Sequence, residues 1–118
     1  MIPKYIRIAG ITKENRHDTI DYIVNSINSC SGWVLNHTMF SNSAICINFQ
    51  IEAKGVHMLL KLLNGININF TKESVELWDS FPESIDEKYK DIEILGSINI
   101  TFVHNEPDLK ITTPNVPG

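Results

Sequence analysis

The sequence predicts an α+β domain built around a single antiparallel sheet, and three observations carry that expectation. Several runs alternate apolar and polar residues with a period of two. Two other stretches repeat apolar residues at helical spacing. Their order along the chain is strand, helix, strand, strand, helix, strand, with one more alternating run behind them. That order is β-α-β-β-α-β, the ferredoxin-like layout, in which one sheet carries two helices on one face. The 118 residues suit a single domain. It divides into a core over 1–78, a linker over 79–91, an added strand over 92–104 and an extended tail over 105–118.

The first strand is read from Tyr5-Ile6-Arg7-Ile8-Ala9-Gly10-Ile11, where Ile6 and Ile8 share one face. A polar loop runs from Gly10 to His17. Asn15 or Asp18 supplies a short oxygen acceptor for the first free amides of a helix. Ile20, Ile23, Val24 and Ile27 then fall on one helical stripe. Gly32 is expected to end that helix in a left-handed turn. The second strand, Trp33 to Phe40, reads with Trp33, Leu35, His37 and Met39 on one face, taken as the core side, and Val34, Asn36, Thr38 and Phe40 on the other. After the turn Ser41-Asn42-Ser43, the run Ala44 to Glu52 alternates Ile45, Ile47, Phe49 and Ile51 with polar neighbours. One face of the sheet is therefore buried and the other is polar.

The second helix is read over Lys54 to Leu63, with Val56, Leu59, Leu60 and Leu63 on its apolar stripe and Asn64-Gly65 at its end. Ile66, Ile68 and Phe70 predict a short strand. Val75-Glu76-Leu77-Trp78 reads as its continuation or as a second strand piece. Asp79 to Lys90 reads as a loop with one helical turn at most. Ile98, Ile100 and Phe102 give the added strand. Pro107, Pro114 and Pro117 exclude a central strand in the tail, because proline lacks a ladder donor.

Composition narrows the function classes. The net charge of −4 argues against nonspecific nucleic-acid binding, which needs clustered Lys and Arg. No apolar run approaches the length of a membrane span. The first residues carry no charged-then-apolar leader, which points to a cytoplasmic protein. Cys30 and Cys46 have neither CxxC spacing nor a histidine at zinc-site distance, and are read as reduced, buried thiols. The three Asn-x-Thr triplets at Asn36, Asn69 and Asn99 are read as chance matches.

Residues Ile6 to Glu52 carry a further pattern. A strand ends Ile8-Ala9-Gly10-Ile11, a polar loop follows, and a helix closes with Asn25-Ser26-Ile27-Asn28-Ser29-Cys30-Ser31-Gly32. A long hairpin and a second helix, Val56 to Leu63, come next. This stretch resembles an ACT-like regulatory domain of the glycine-cleavage repressor type. The resemblance implies a non-catalytic module that senses a small molecule, dimers formed by sheets meeting side by side or by helices facing, and an amino acid in the groove between subunits. The loop Thr12-Lys13-Glu14-Asn15-Arg16-His17-Asp18 departs from the family pattern, because the Pro-Gly pair after the arginine is missing. A degenerate member without ligand fits that departure.

The candidate ligand site is Gly10, Ile11, Thr12, Asn15 and Arg16. A strand-to-helix loop presents free amides and the positive end of the helix dipole to an anion such as a carboxylate, and Arg16 adds a forked donor. The competing reading is that these residues cap the helix and stay solvated. The candidate interface is Trp33, His37, Met39, Trp78 and Phe81, with the Val75-to-Phe81 cluster expected to be covered by the tail or by a second subunit. A protein-interaction subunit without ligand is the alternative function. A small dimeric αβ-barrel enzyme using a histidine has least support. His17 and Asp21 lie one helical turn apart but lack a third metal ligand. His104, Glu106 and Asp108 show no nucleophile-and-base spacing. No catalytic residue, metal or cofactor is assigned.

Overall fold

The computed structural model describes residues 2–41 and 43–103. The elements in chain order are β1 (Tyr5–Thr12), α1 (Arg16–Ser29), β2 (Gly32–Ser41), β3 (Ala44–Glu52), α2 (Ala53–Asn64), β4 (Asn69–Phe70), α3 (Lys72–Ser80) and β5 (Glu93–Phe102). The fold is α+β, compatible with a ferredoxin-like arrangement. The expected tail, 105–118, and His104 lie outside the described residues.

The five strands are ordered β2-β3-β5-β1-β4. The sheet is mixed, which corrects the expectation of an antiparallel one. β1 and β5 run parallel from Tyr5↔Leu95 to Thr12↔Phe102, while the β2–β3, β3–β5 and β1–β4 pairs are antiparallel. Parallel neighbours need a long crossover, and everything from α1 to α3 lies between β1 and β5. The added strand is therefore the middle of the sheet. Its sequence suits that place. Ile94, Ile98, Ile100 and Phe102 are buried on one face, and even Ser97 on the other face is only 4% exposed. That other face nonetheless stays open, with Leu95 47% exposed, so the strand alternates as one covered on a single side does.

One face of the sheet carries the core. Ile6 and Ile8 of β1, Ile45, Ile47, Phe49 and Ile51 of β3, and the β5 residues pack against Ile23 and Ile27 of α1 and Val56, Leu59, Leu60 and Leu63 of α2. Each such side chain contributes about 1.5–3 kcal/mol when fully buried. Asn15 caps α1, its side-chain oxygen accepting from the Asp18 amide at 3.0 Å. Ser31, not Gly32, takes the left-handed conformation after α1, with φ 63°. Gly32 already belongs to β2. α2 has no side-chain cap. The Ala53 and Lys54 amides donate instead to the carbonyls of Ile92 and Lys90, at 2.8 and 2.9 Å, in the segment leading into β5.

Two further expectations are corrected. Val75 to Trp78 is not strand but the middle of α3. Thr71 accepts from the Ser74 amide and starts the helix. Ser74, Leu77, Trp78 and Phe81 fall at i, i+3, i+4 and i+7, a helical stripe turned toward the rest of the protein. β2, in turn, is bulged. Trp33 pairs with Gln50 and Val34 with Phe49, but after the register shift at Leu35, His37 pairs with Ile47 and Met39 with Ile45. The extra residue reverses the alternation. Trp33 lies on the open face, whereas His37 and Met39 lie on the helix side. Val34 is the residue that packs against the core. No helix among the described residues is long and apolar enough to cross a membrane.

Candidate functional site

The loop between β1 and α1 is held by a small polar network. Thr12 is 2% exposed. Its hydroxyl donates to the Asn67 carbonyl at 2.6 Å and accepts from the Glu14 amide at 3.1 Å. The Asn67 side-chain amide donates to the Glu14 carboxylate at 3.0 Å. These bonds tie the loop to the segment before β4 and fix where α1 begins.

The two flanks of the loop differ in charge. On one side Arg16, His17 and Ile20 of α1 meet Met39 and Ser41 of β2 around an open cavity of about 670 Å³. On the other, Glu14, Asp18, Thr19 and Tyr22 line a hollow of about 300 Å³ with Ile66 and Asn67. The first flank has the chemistry for an anion, with a guanidinium, an imidazole and the positive end of α1 on the same side.

The five predicted ligand residues are not gathered in one place. Arg16 lines the first cavity. Gly10 is buried, and a side chain there would lie 2.6 Å from Ile68 Cγ2 and 2.9 Å from the Asn69 carbonyl, so its role is to let β4 approach. Thr12 holds the loop. Asn15 spends its oxygen on the helix cap. Ile11 is half-exposed on the open face of the sheet, opposite Thr101. Sequence reasoning missed Ile20, Met39 and Ser41 as neighbours of Arg16, because β2 joins α1 only through the fold. It noticed His17 only as half of a metal pair with Asp21. Among the described residues no three His, Cys, Asp or Glu side chains are grouped to hold a metal.

The predicted interface residues also divide. Trp33 and Met39 are exposed on opposite faces of β2, and His37 is exposed as well. Trp78 is half-buried within the chain. Its indole N–H donates to the Leu60 carbonyl at 3.1 Å, and its ring meets Phe70 with centroids 4.8 Å apart. Phe81 is buried. α2 and β4 therefore contact the Trp78 side of the cluster, which was expected to need a second subunit or the tail.

The face of the sheet opposite the helices is open, with Tyr5, Ile11, Trp33 and Leu95 exposed on it. The register aligns one lateral row of Tyr5, Leu95, Gln50 and Trp33 across four strands. The next row is polar, Arg7, Ser97, Asn48 and Asn36, with the Asn48 side-chain amide donating to Asn36 at 2.9 Å. Arg7 also lies 5.8 Å from the Tyr5 ring centroid.

At the outer edge, β2 carries ten residues without a single Lys, Arg, Asp, Glu or Pro. Its Trp33, Leu35, Met39 and Phe40 are exposed, Phe40 to 68%. Both cysteines are free, Cys30 buried and Cys46 half-buried on the open face. Burial pushes the Cys30 thiol above its ordinary value, with the Ser29 hydroxyl partly opposing. Comparison with protein families, with curated proteins and with solved structures found no match for this chain.

Proposed function

We propose that this chain is a non-catalytic regulatory and interaction module that works as a homodimer in the cytoplasm, joined through β2. The supporting observation is the composition of that edge. A strand at the rim of a sheet offers a row of unpaired backbone groups, and proteins that stay monomeric blunt such rims with charge or proline. The run Gly32–Ser41 has neither, and it adds exposed Trp33, Leu35 and Phe40. Two copies related by a two-fold axis, the commonest symmetry among soluble homo-oligomers, can present the same strand to each other. Sedimentation across the micromolar range tests this reading. A dimer that dissociates in the double variant Leu35→Lys, Phe40→Lys is expected. A wild-type chain that stays monomeric overturns it.

A second reading, an amino-acid sensor, is supported by the cavity of Arg16, His17, Ile20, Met39 and Ser41. It touches the last residues of β2, so an anion held there would neighbour the proposed seam. Thermal shift against the twenty amino acids tests it. A rise that is lost in Arg16→Gln is expected, and no shift with any of them leaves the ligand-free module.

A further inference from the structure

A third cavity lies apart from both surfaces. It opens between Ile2, just before β1, and the segment joining α3 to β5, and has a volume of about 480 Å³. That is within the range of small-ligand sites, which are mostly apolar with a few polar groups to fix orientation. Its walls fit that description. Ile2, Ile85, Ile92 and the Tyr89 ring supply the apolar surface, and Ser84 and Asp86 supply the polar atoms.

The carboxylates around it are not equivalent. Glu87 is paired with Lys90 at 2.6 Å, and Asp91 with Lys54 at 3.3 Å. Glu93 accepts from the Gln50 side-chain amide. Asp86, on the cavity wall, has no ion pair and no side-chain hydrogen bond among the described residues. The Tyr89 ring is already met by the Lys88 ammonium, Nζ 5.1 Å from its centroid, so a ligand amine is directed to the Asp86 carboxylate and not to this ring.

The backbone gives the walls a fixed frame. The Tyr89 amide donates to the Asp86 carbonyl at 2.9 Å and the Ile92 amide to the Tyr89 carbonyl at 3.1 Å. The same segment supplies the carbonyls of Lys90 and Ile92 that cap α2. Asp86, Tyr89 and Ile92 are thus held in one ordered turn, anchored to the start of a core helix.

We propose that this cleft binds a small organic ammonium with an apolar body, its amine on the Asp86 carboxylate and its body against Ile2, Ile85 and Ile92. An apolar wall alone would take any greasy molecule. An uncommitted carboxylate at its rim selects for positive charge, because charge-assisted hydrogen bonds are the stronger kind. None of these residues lies in β2, so the inference stands independently of the dimer reading.

The test is a titration of the full chain with phenethylamine, followed by backbone amide NMR and calorimetry. Saturable binding is expected, with the largest shifts at Ile85, Tyr89 and Ile92. Phenylacetate, which has the same ring and the opposite charge, should bind at least about tenfold more weakly, and Asp86→Asn should weaken phenethylamine by about the same factor. Asp86 is exposed, so the variant keeps the wild-type melting temperature. Absence of saturable binding, equal affinity for phenylacetate, or unchanged affinity in Asp86→Asn each overturns the proposal.

Discussion

Gly55 of α2 lies against the carbonyl of Cys30 at the end of α1, so closely that a side-chain carbon built on Gly55 would fall 1.7 Å from that oxygen. The two helices that cover the sheet therefore meet through backbone. This contact sets two physical effects against each other. Helix propensity favours alanine over glycine by about 1 kcal/mol in a helix interior. Steric overpacking costs about 1–3 kcal/mol, and here the obstacle is a carbonyl and not a flexible side chain. At 1.7 Å from a backbone oxygen the cost lies at the upper end, so net of the propensity gain Gly55→Ala should destabilise the protein by about 2 kcal/mol in urea unfolding. A variant as stable as wild type would show that α1 can shift away.

Ser74 performs a strand's work from a helix. Its hydroxyl accepts from the Ala9 amide at 2.8 Å and donates to the Ala9 carbonyl at 3.2 Å, beyond the point where the two-residue β4 stops pairing. It is 1% exposed. Ser74→Ala leaves the half-buried Ala9 amide without that acceptor and should cost about 1 kcal/mol. Faster hydrogen exchange at Ala9 is the specific readout.

The two faces of β2 make an ordering prediction. Val34 packs on the core and Leu35 does not. Val34→Ala should lower stability by about 1–2 kcal/mol. Leu35→Ala should stay within about 0.5 kcal/mol, as exposed substitutions do. Equal losses would mean that Leu35 also packs against the core.

The thiols should differ in reactivity. Cys46 is half-buried and Cys30 buried, with a thiol pushed up by desolvation. A thiol reagent near neutral pH should label Cys46 first and reach Cys30 only on unfolding. The sign for stability follows from the same shift. A folded-state value raised above 9.0 means that the thiol's contribution is complete below pH 9.0 and is lost as pH rises through the folded value. The Lys54 ammonium is also held above its ordinary value by its hydrogen bonds to Glu52 and Asp91, and acts in the same direction at still higher pH. Comparing Cys30→Ala with wild type isolates the thiol: the variant should lose less stability between pH 8 and 10.

Much of the fold was legible where order is local. The alternation in Ala44–Glu52 matches β3, and the stripes through Ile23 and Leu59 match the buried faces of α1 and α2. Failures came where distant partners decide. Val75 and Leu77 alternate with charged or aromatic neighbours, so the segment passes for a strand, although the Thr71 cap and the spacing from Ser74 to Phe81 carry a helix signal. One inserted residue at Leu35 changes faces without leaving a mark in composition. The Arg16 cavity needs Met39 and Ser41, which no spacing rule links to α1. The place of β5 depends on pairing with β1 and β3, both far upstream.

The central position of β5 has a consequence for how the chain matures. Until residues 93–102 have been made, the β2–β3 hairpin and β1 share no ladder, and each shows an unpaired rim to its surroundings. The lid of helices over Phe49 can close only after the last piece slides between its older neighbours. A nascent or truncated chain ending before Glu93 is thus two half-sheets lacking a spine, the kind of intermediate that chaperones shield and proteases clear.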